Sequence, residues 1–166
     1  MLKHHPNEQS GAGLEALDGW TVVFDLDGTL VETAPDLHAA LNHVLSLKGL
    51  APVSLEDIRS MIGDGAKALI RKGLAQNGVT ADEGEIEHAL WPAFIEHYLA
   101  NITRLSRPFD GVLAVLEALR AAGVGMAVCT NKAQGLADEV LKGLHLDHYF
   151  KACLGGDQAS APKPDG

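Results

Sequence analysis

The sequence predicts an α/β fold, a parallel sheet wound with helices and interrupted by an all-helical insert. Three observations carry that reading. Two continuous apolar runs, WTVVF at residues 20–24 and VGMAVC at residues 124–129, end on polar residues, as strands of a buried parallel sheet do. A third run, YFKACLGG, follows a helical pattern, so the order is strand, helix, strand, helix, strand. Four helical patterns in succession separate the first strand from the second, too many for one crossover connection. The outcome is a three-layer, Rossmann-like parallel sheet core at residues 19–34 and 106–166, with an inserted α-helical cap at residues 35–105.

Each element has its own signal. Residues 1–18 mix His, Pro, Asn, Gln, Ser and Gly without periodicity and read as a disordered lead-in. The first strand lies between Gly19 and Gly28, and its unbroken apolarity predicts burial on both faces. Leu37, Ala40, Leu41, Val44 and Leu45 recur at helical spacing until Gly49 and Pro52 stop the helix. Ser54 with Asp57 is a capping pair, Gly63 and Gly65 bracket Asp64 before a further helix, and Asp82 with Glu85 opens the next. Pro92 should kink or restart that last helix. After SRPFDG closes the insert, Val112, Leu113, Val115, Leu116 and Leu119 form a helix face that ends at Gly123. Leu136, Val140, Leu141 and Leu144 mark the final helix.

Composition bounds the function. The 166 residues are 46% hydrophobic and 21% charged, which suits one folded domain with a modest insert. A net charge of -9, with no Lys/Arg-rich run, argues against nucleic acid and anionic membranes as partners. Cys129 and Cys153 lack metal or redox spacing, and no apolar stretch reaches a membrane span, so reduced thiols in a cytoplasmic protein are expected. The eight histidines show no zinc-site spacing, and Cys129 reads as a small buried apolar residue.

The chemistry concentrates in DLDGT. Ligands of open parallel sheets bind outside the carboxyl ends of the strands, and Asp25 and Asp27 fall there. As residues i and i+2 they share a face, Gly28 lets the backbone approach a ligand, and the repulsion between the two carboxylates calls for a cation. A calcium-binding helix-loop-helix is excluded, because a strand precedes the motif and its sixth position is Leu30. GDGAKALI follows a helix and lacks a third glycine, which argues against a dinucleotide loop.

DLDGTLVETAPDL resembles the first motif of the haloacid dehalogenase superfamily, in particular its phosphoglycolate phosphatase-like members with a helical cap. IGDGAKALIRKGL, GVLAVLEALRAAGVGMAVCTNK and GGDQASAPKP extend the likeness from about Trp20 to Pro164. The resemblance implies that Asp25 is the nucleophile of a phosphoaspartate intermediate. It implies that Asp27 is the acid and base, and that Mg²⁺ binds through the Asp25 carboxylate and the Asp27 carbonyl. Asp27 should hold a proton at neutral pH through burial and its neighbours. Thr130 and Asn131 match the second motif, whose hydroxyl and amide bind phosphate, although either would also serve as a helix N-cap. Lys163 matches the third motif's lysine. The cap loop makes Gly63, Asp64, Gly65 and Lys67 candidates for substrate contact, with Arg59 a weaker one. The implied substrate is phosphoglycolate or a similar small phosphorylated metabolite.

One motif of that family is not in the chain. The resemblance implies a further helix and a strand ending in GDxxxD, whose carboxylates complete the metal site, whereas the sequence ends at Gly166 with only Asp157 and Asp165 nearby. The missing strand would pair beside the first one, so residues 20–24 are expected to form an exposed apolar edge prone to self-association. An incomplete phosphatase, an inactive homologue or binding module, a subunit completed by a partner, and a phosphosugar mutase on the same core all stay open.

Overall fold

The computed structural model describes Leu17 and residues 19–165; the expected lead-in at 1–18 otherwise lies outside the described residues. In chain order the elements are β1 (Thr21–Phe24), β2 (Val31–Glu32), α1 (Ala34–Leu47), α2 (Leu55–Met61), α3 (Ala66–Gln76), α4 (Glu83–Glu85), a π-helical turn (Ile86–Leu90) and α5 (Trp91–Ala100). There follow β3 (Arg107–Pro108), α6 (Val112–Ala121), β4 (Gly125–Cys129), α7 (Gln134–Gly143), a 3₁₀ turn (Asp147–Tyr149) and β5 (Ala152–Leu154). Strands β1, β4 and β5 form one parallel sheet in the order β1-β4-β5, with Val22 opposite Met126 and Val128 opposite Cys153.

The helices begin where local chemistry starts them. The Ser54 hydroxyl accepts the Asp57 N–H at 3.1 Å and donates to the Asp57 carboxylate at 2.7 Å, and Asp82 accepts the Glu85 N–H at 2.7 Å. Pro92 has no N–H to give the carbonyl one turn back, and the chain widens into the π turn just before it, then restarts as α5. Leu41 and Leu45 of α1 pack with Ile70 and Leu74 of α3 and with Phe94 and Tyr98 of α5 in one apolar cluster, the core of the helical layer.

A second cluster lies under the sheet, where Met126 and Val128 meet Leu116 and Leu119 of α6 and Ala137, Val140 and Leu141 of α7. Burial of the strands on both faces, expected from their apolarity, does not hold among the described residues. Val23 is 59% exposed and Leu154 44% exposed on the other face. The reason is topological: the crossovers from β1 to β4 and from β4 to β5 step in the same direction, so right-handed connections put α6 and α7 on the same face. The expected face of α6 narrows for the same reason. Leu116 and Leu119 are buried, whereas Leu113 and Val115 stay half exposed beside the single sheet face that α6 covers. The edge of β1 away from β4 has no strand partner among the described residues, and Trp20 beside it is 66% exposed.

Two short connections join the layers. Val31–Glu32 pairs antiparallel with Arg107–Pro108, a two-residue ribbon too short for any sequence pattern to announce. Beside it the buried Asp36 carboxylate accepts the N–H groups of Leu105 and Ser106 and the Ser106 hydroxyl. No helix among the described residues is long and apolar enough to cross a membrane.

Within the helical layer His43 of α1 stacks on His97 of α5, with ring centroids 4.5 Å apart and planes 15° apart. Burial, and then the charge of His43, hold His97 below the ordinary histidine value of 6.5. The unfolded chain therefore takes up this proton more readily than the folded one. The stability from a neutral His97 is complete above pH 6.5 and is lost as pH falls through its lowered folded value. The expected result is that His97→Gln unfolds with a flatter pH dependence than the unsubstituted chain below pH 6.5, measured by thermal unfolding. Equal slopes would rule the stacked pair out.

Candidate active site

The carboxyl end of β1 is shaped by a tight turn. The Leu26 carbonyl accepts the N–H groups of Leu30 and Val31, each at 3.0 Å, and the Gly28 N–H donates to the Val31 carbonyl at 2.9 Å. Gly28 carries the turn at φ +78°, a backbone region that side chains disfavour. Leu26 is buried inside the turn, so the residues on either side of it, Asp25 and Asp27, both reach the wall of one cavity of about 350 Å³. That cavity lies between the carboxyl end of the sheet and the helical layer.

The two carboxylates are held differently. Asp25 Oδ1 accepts the Leu26 N–H at 2.8 Å and faces Lys163 Nζ at 3.0 Å, and Oδ2 accepts no hydrogen bond from the described residues. Lys163 also donates to the Cys129 carbonyl at 2.8 Å, which fixes it over the end of β4. Asp27 Oδ1 accepts the Thr33 hydroxyl at 2.7 Å and pairs with Lys132 Nζ at 3.1 Å. A hydroxyl and an ammonium thus both address Oδ1 of a carboxylate that is 13% exposed. Burial alone pushes the Lys132 ammonium toward its neutral form; the adjoining Asp27 carboxylate outweighs it and holds the group above the ordinary lysine value. Sequence reasoning did not single out Lys132, because a lysine after a strand is usually a solvated charge.

Thr130 is buried on the cavity wall, and its hydroxyl oxygen accepts the Lys132 N–H at 3.2 Å while keeping its own proton free to donate. Asn131 also lines the cavity, but its amide is committed. It donates to the Gly63 carbonyl at 2.7 Å and the Lys163 carbonyl at 3.2 Å, and accepts the Lys163 N–H at 2.8 Å. Asn131 therefore ties the cap loop to the Lys163 loop. Neither residue caps α7: Ala133 holds the N-cap position, and Asp157 accepts the Gln134 N–H at 2.7 Å. Gly156 packs against Asn131 so closely that a Cβ there would lie 2.7 Å from its carbonyl oxygen, which leaves room for glycine alone.

On the cap side Gly63, Asp64, Gly65 and Lys67 all line the cavity. Two of them are already engaged: Asp64 pairs with Lys72 at 2.6 Å, and Lys67 pairs with Glu87 and lies over the Trp91 ring at 5.5 Å from its centroid. Arg59 does not reach the cavity and instead bridges to Glu32 at 3.2 Å, and Gly28 stands outside the wall in its turn. Ile62, Leu69, Trp91 and Phe94 make the rest of this wall apolar, a feature visible only once the helices are packed.

A hard divalent cation needs oxygen donors, of which one or two carboxylates suffice when a phosphate supplies others. Asp25 Oδ2 and the Asp27 carbonyl, which accepts no hydrogen bond from the described residues, fit that role. No group of three acidic, His or Cys side chains stands together among the described residues, so the chain offers Mg²⁺ part of a coordination shell. Asp157 is no substitute while its carboxylate caps α7.

Comparison with known proteins places the chain among phosphatase-like relatives. The phosphoglycolate phosphatase of Caulobacter vibrioides is 47% identical over 153 residues, covering 92% of this chain and 64% of that protein. That of Agrobacterium fabrum is 43% identical over 143 residues, covering 86% of this chain and 61% of the relative. The chain thus spans under two thirds of the length of these curated relatives. A crystal structure of a predicted phosphoglycolate phosphatase from Haemophilus somnus superposes with a TM-score of 0.78 at 34% identity, covering 86% of this chain and 64% of the other. The profile of the family described as haloacid dehalogenase-like hydrolase matches residues 22–166, and with the paired aspartates, Thr130 and Lys163 gathered at one end of the sheet, the chain belongs to that family.

Proposed function

We propose that the chain carries the chemistry of a phosphomonoester hydrolase acting through a phosphoaspartate on Asp25, with phosphoglycolate or a similarly small phosphorylated acid as substrate. The observation that carries it is Asp25 itself, with Oδ1 anchored by Leu26 and Lys163 and Oδ2 unengaged beside the cavity. The names of the relatives support the substrate class.

Each residue has one task. The Asp25 carboxylate attacks phosphorus, and the bond from phosphorus to the ester oxygen breaks as Asp27 Oδ2 protonates the departing oxygen. Asp27 then takes a proton from a water that attacks the phosphoaspartate. The bond from phosphorus to Asp25 breaks, and inorganic phosphate leaves with the Asp25 carboxylate and the Asp27 acid restored. Lys163 offsets charge on Asp25 and the phosphate, and the Thr130 hydroxyl donates to a phosphate oxygen. Mg²⁺ would be held by the Asp25 carboxylate and the Asp27 carbonyl and, when bound, would neutralise charge on the phosphate dianion.

The test is phosphate release from phosphoglycolate by the folded chain, with Mg²⁺ and with a chelator. Release that stops on chelation is expected. Release indifferent to the chelator would remove Mg²⁺ from the mechanism, and no release from any phosphomonoester would end the reading for this chain.

A further inference from the structure

We infer that Lys132 is a positioning residue for Asp27 and that Tyr98, reaching across from α5, completes the setting of that lysine. The inference rests on Asp27 acting as the acid of the proposed hydrolysis.

Three observations converge. The Lys132 side chain is only 4% exposed, yet its ammonium ends 3.1 Å from Asp27 Oδ1, so it serves this carboxylate and not the solvent. The Thr33 hydroxyl reaches the same oxygen at 2.7 Å from the start of α1, although Thr33 holds the N-cap position and would ordinarily cap its own helix. Two donors from different parts of the chain thus pin Oδ1, and Oδ2 is left without a partner among the described residues. The third observation is Tyr98. Its ring lies 4.9 Å from the Lys132 ammonium, and its side chain is fully buried in the helical layer. A desolvated ammonium needs replacement for its water shell, and Asp27 and the aromatic face supply it.

The device makes a prediction that a purely structural lysine does not. An alkyl ester such as phosphoglycolate needs Asp27 to protonate its leaving oxygen, whereas 4-nitrophenyl phosphate releases a stable phenolate without that proton. In the presence of Mg²⁺, Lys132→Met is expected to lower kcat on phosphoglycolate by about 10²-fold and on 4-nitrophenyl phosphate by less than about tenfold, with KM little changed. Lys132→Arg should recover part of the difference. Tyr98→Phe, which keeps the ring, should leave the ratio of the two rates as it is, and Tyr98→Leu should move it the way Lys132→Met does. Thermal unfolding of Lys132→Met, Tyr98→Leu and the double variant checks the contact without turnover, with a combined midpoint loss smaller than the sum of the single losses expected. Equal rate losses on the two esters overturn the positioning role, and strictly additive midpoints overturn the part of Tyr98. Should the unsubstituted chain hydrolyse neither ester, the hydrolase reading falls and takes this inference with it, whereas equal losses in an active chain remove the inference alone.

Discussion

Asp25→Asn is expected to lower phosphate release by on the order of 10⁴-fold or more while leaving the fold in place. The amide keeps the size of the carboxylate, and its oxygen can still accept the Leu26 N–H that holds Oδ1 at 2.8 Å. It has neither the charge nor the nucleophilicity to attack phosphorus. Loss of the ion pair with Lys163 contributes little to stability, because both side chains are 37% exposed and such pairs are worth about 1 kcal/mol or less. The measurement is phosphate release beside thermal unfolding of the same preparation. Turnover close to that of the unsubstituted chain would move the nucleophile to another residue, and a collapse of the unfolding midpoint would make Asp25 structural.

The second large effect concerns stability. Asp36→Ala should destabilise the chain by about 3 kcal/mol, since it leaves the two buried donors of Ser106 and the part-buried Leu105 N–H without an acceptor. The Leu105 N–H lies 3.0 Å from one carboxylate oxygen, and the Ser106 N–H and hydroxyl lie 2.8 and 2.6 Å from the other. Ser106 is itself buried, so water cannot take the carboxylate's place without entering the junction. At about 2–4 °C per kcal/mol for a chain of this size, the midpoint should fall by roughly 6–12 °C. Asp36→Asn should lose less, because its one oxygen still accepts. A midpoint within about 2 °C of the unsubstituted chain would show that the junction repacks around the loss.

Most of the helical boundaries were legible because their causes are local. Ser54 and Asp82 cap helices with their own side chains, Pro92 interrupts its helix by lacking an N–H, and the apolar spacing of α1 predicts the face it buries. The strand ends were equally legible, whereas the shared placement of Asp25 and Asp27, just past β1, is set by the turn that buries Leu26 between them. Contacts between distant residues were not legible. Asp36 and Ser106 are separated by 70 positions, and nothing in a single aspartate announces that it will accept three donors from the far end of an insert. Asn131 looked like a phosphate ligand by its place after β4, and only the fold shows its amide spent on Gly63 and Lys163.

The sequence by itself determined the α/β order, the position of the paired carboxylates and the family, since these follow from periodicity, capping and short motifs read within one element at a time. Tertiary structure alone decided that both crossover helices cover the same sheet face, that Lys132 is buried against Asp27, and that Tyr98 from the helical layer stands over that lysine. Whether a charge is solvated or spent, and whether an apolar face is covered or open, depends on which remote surface packs against it, and that is a property of the assembled chain.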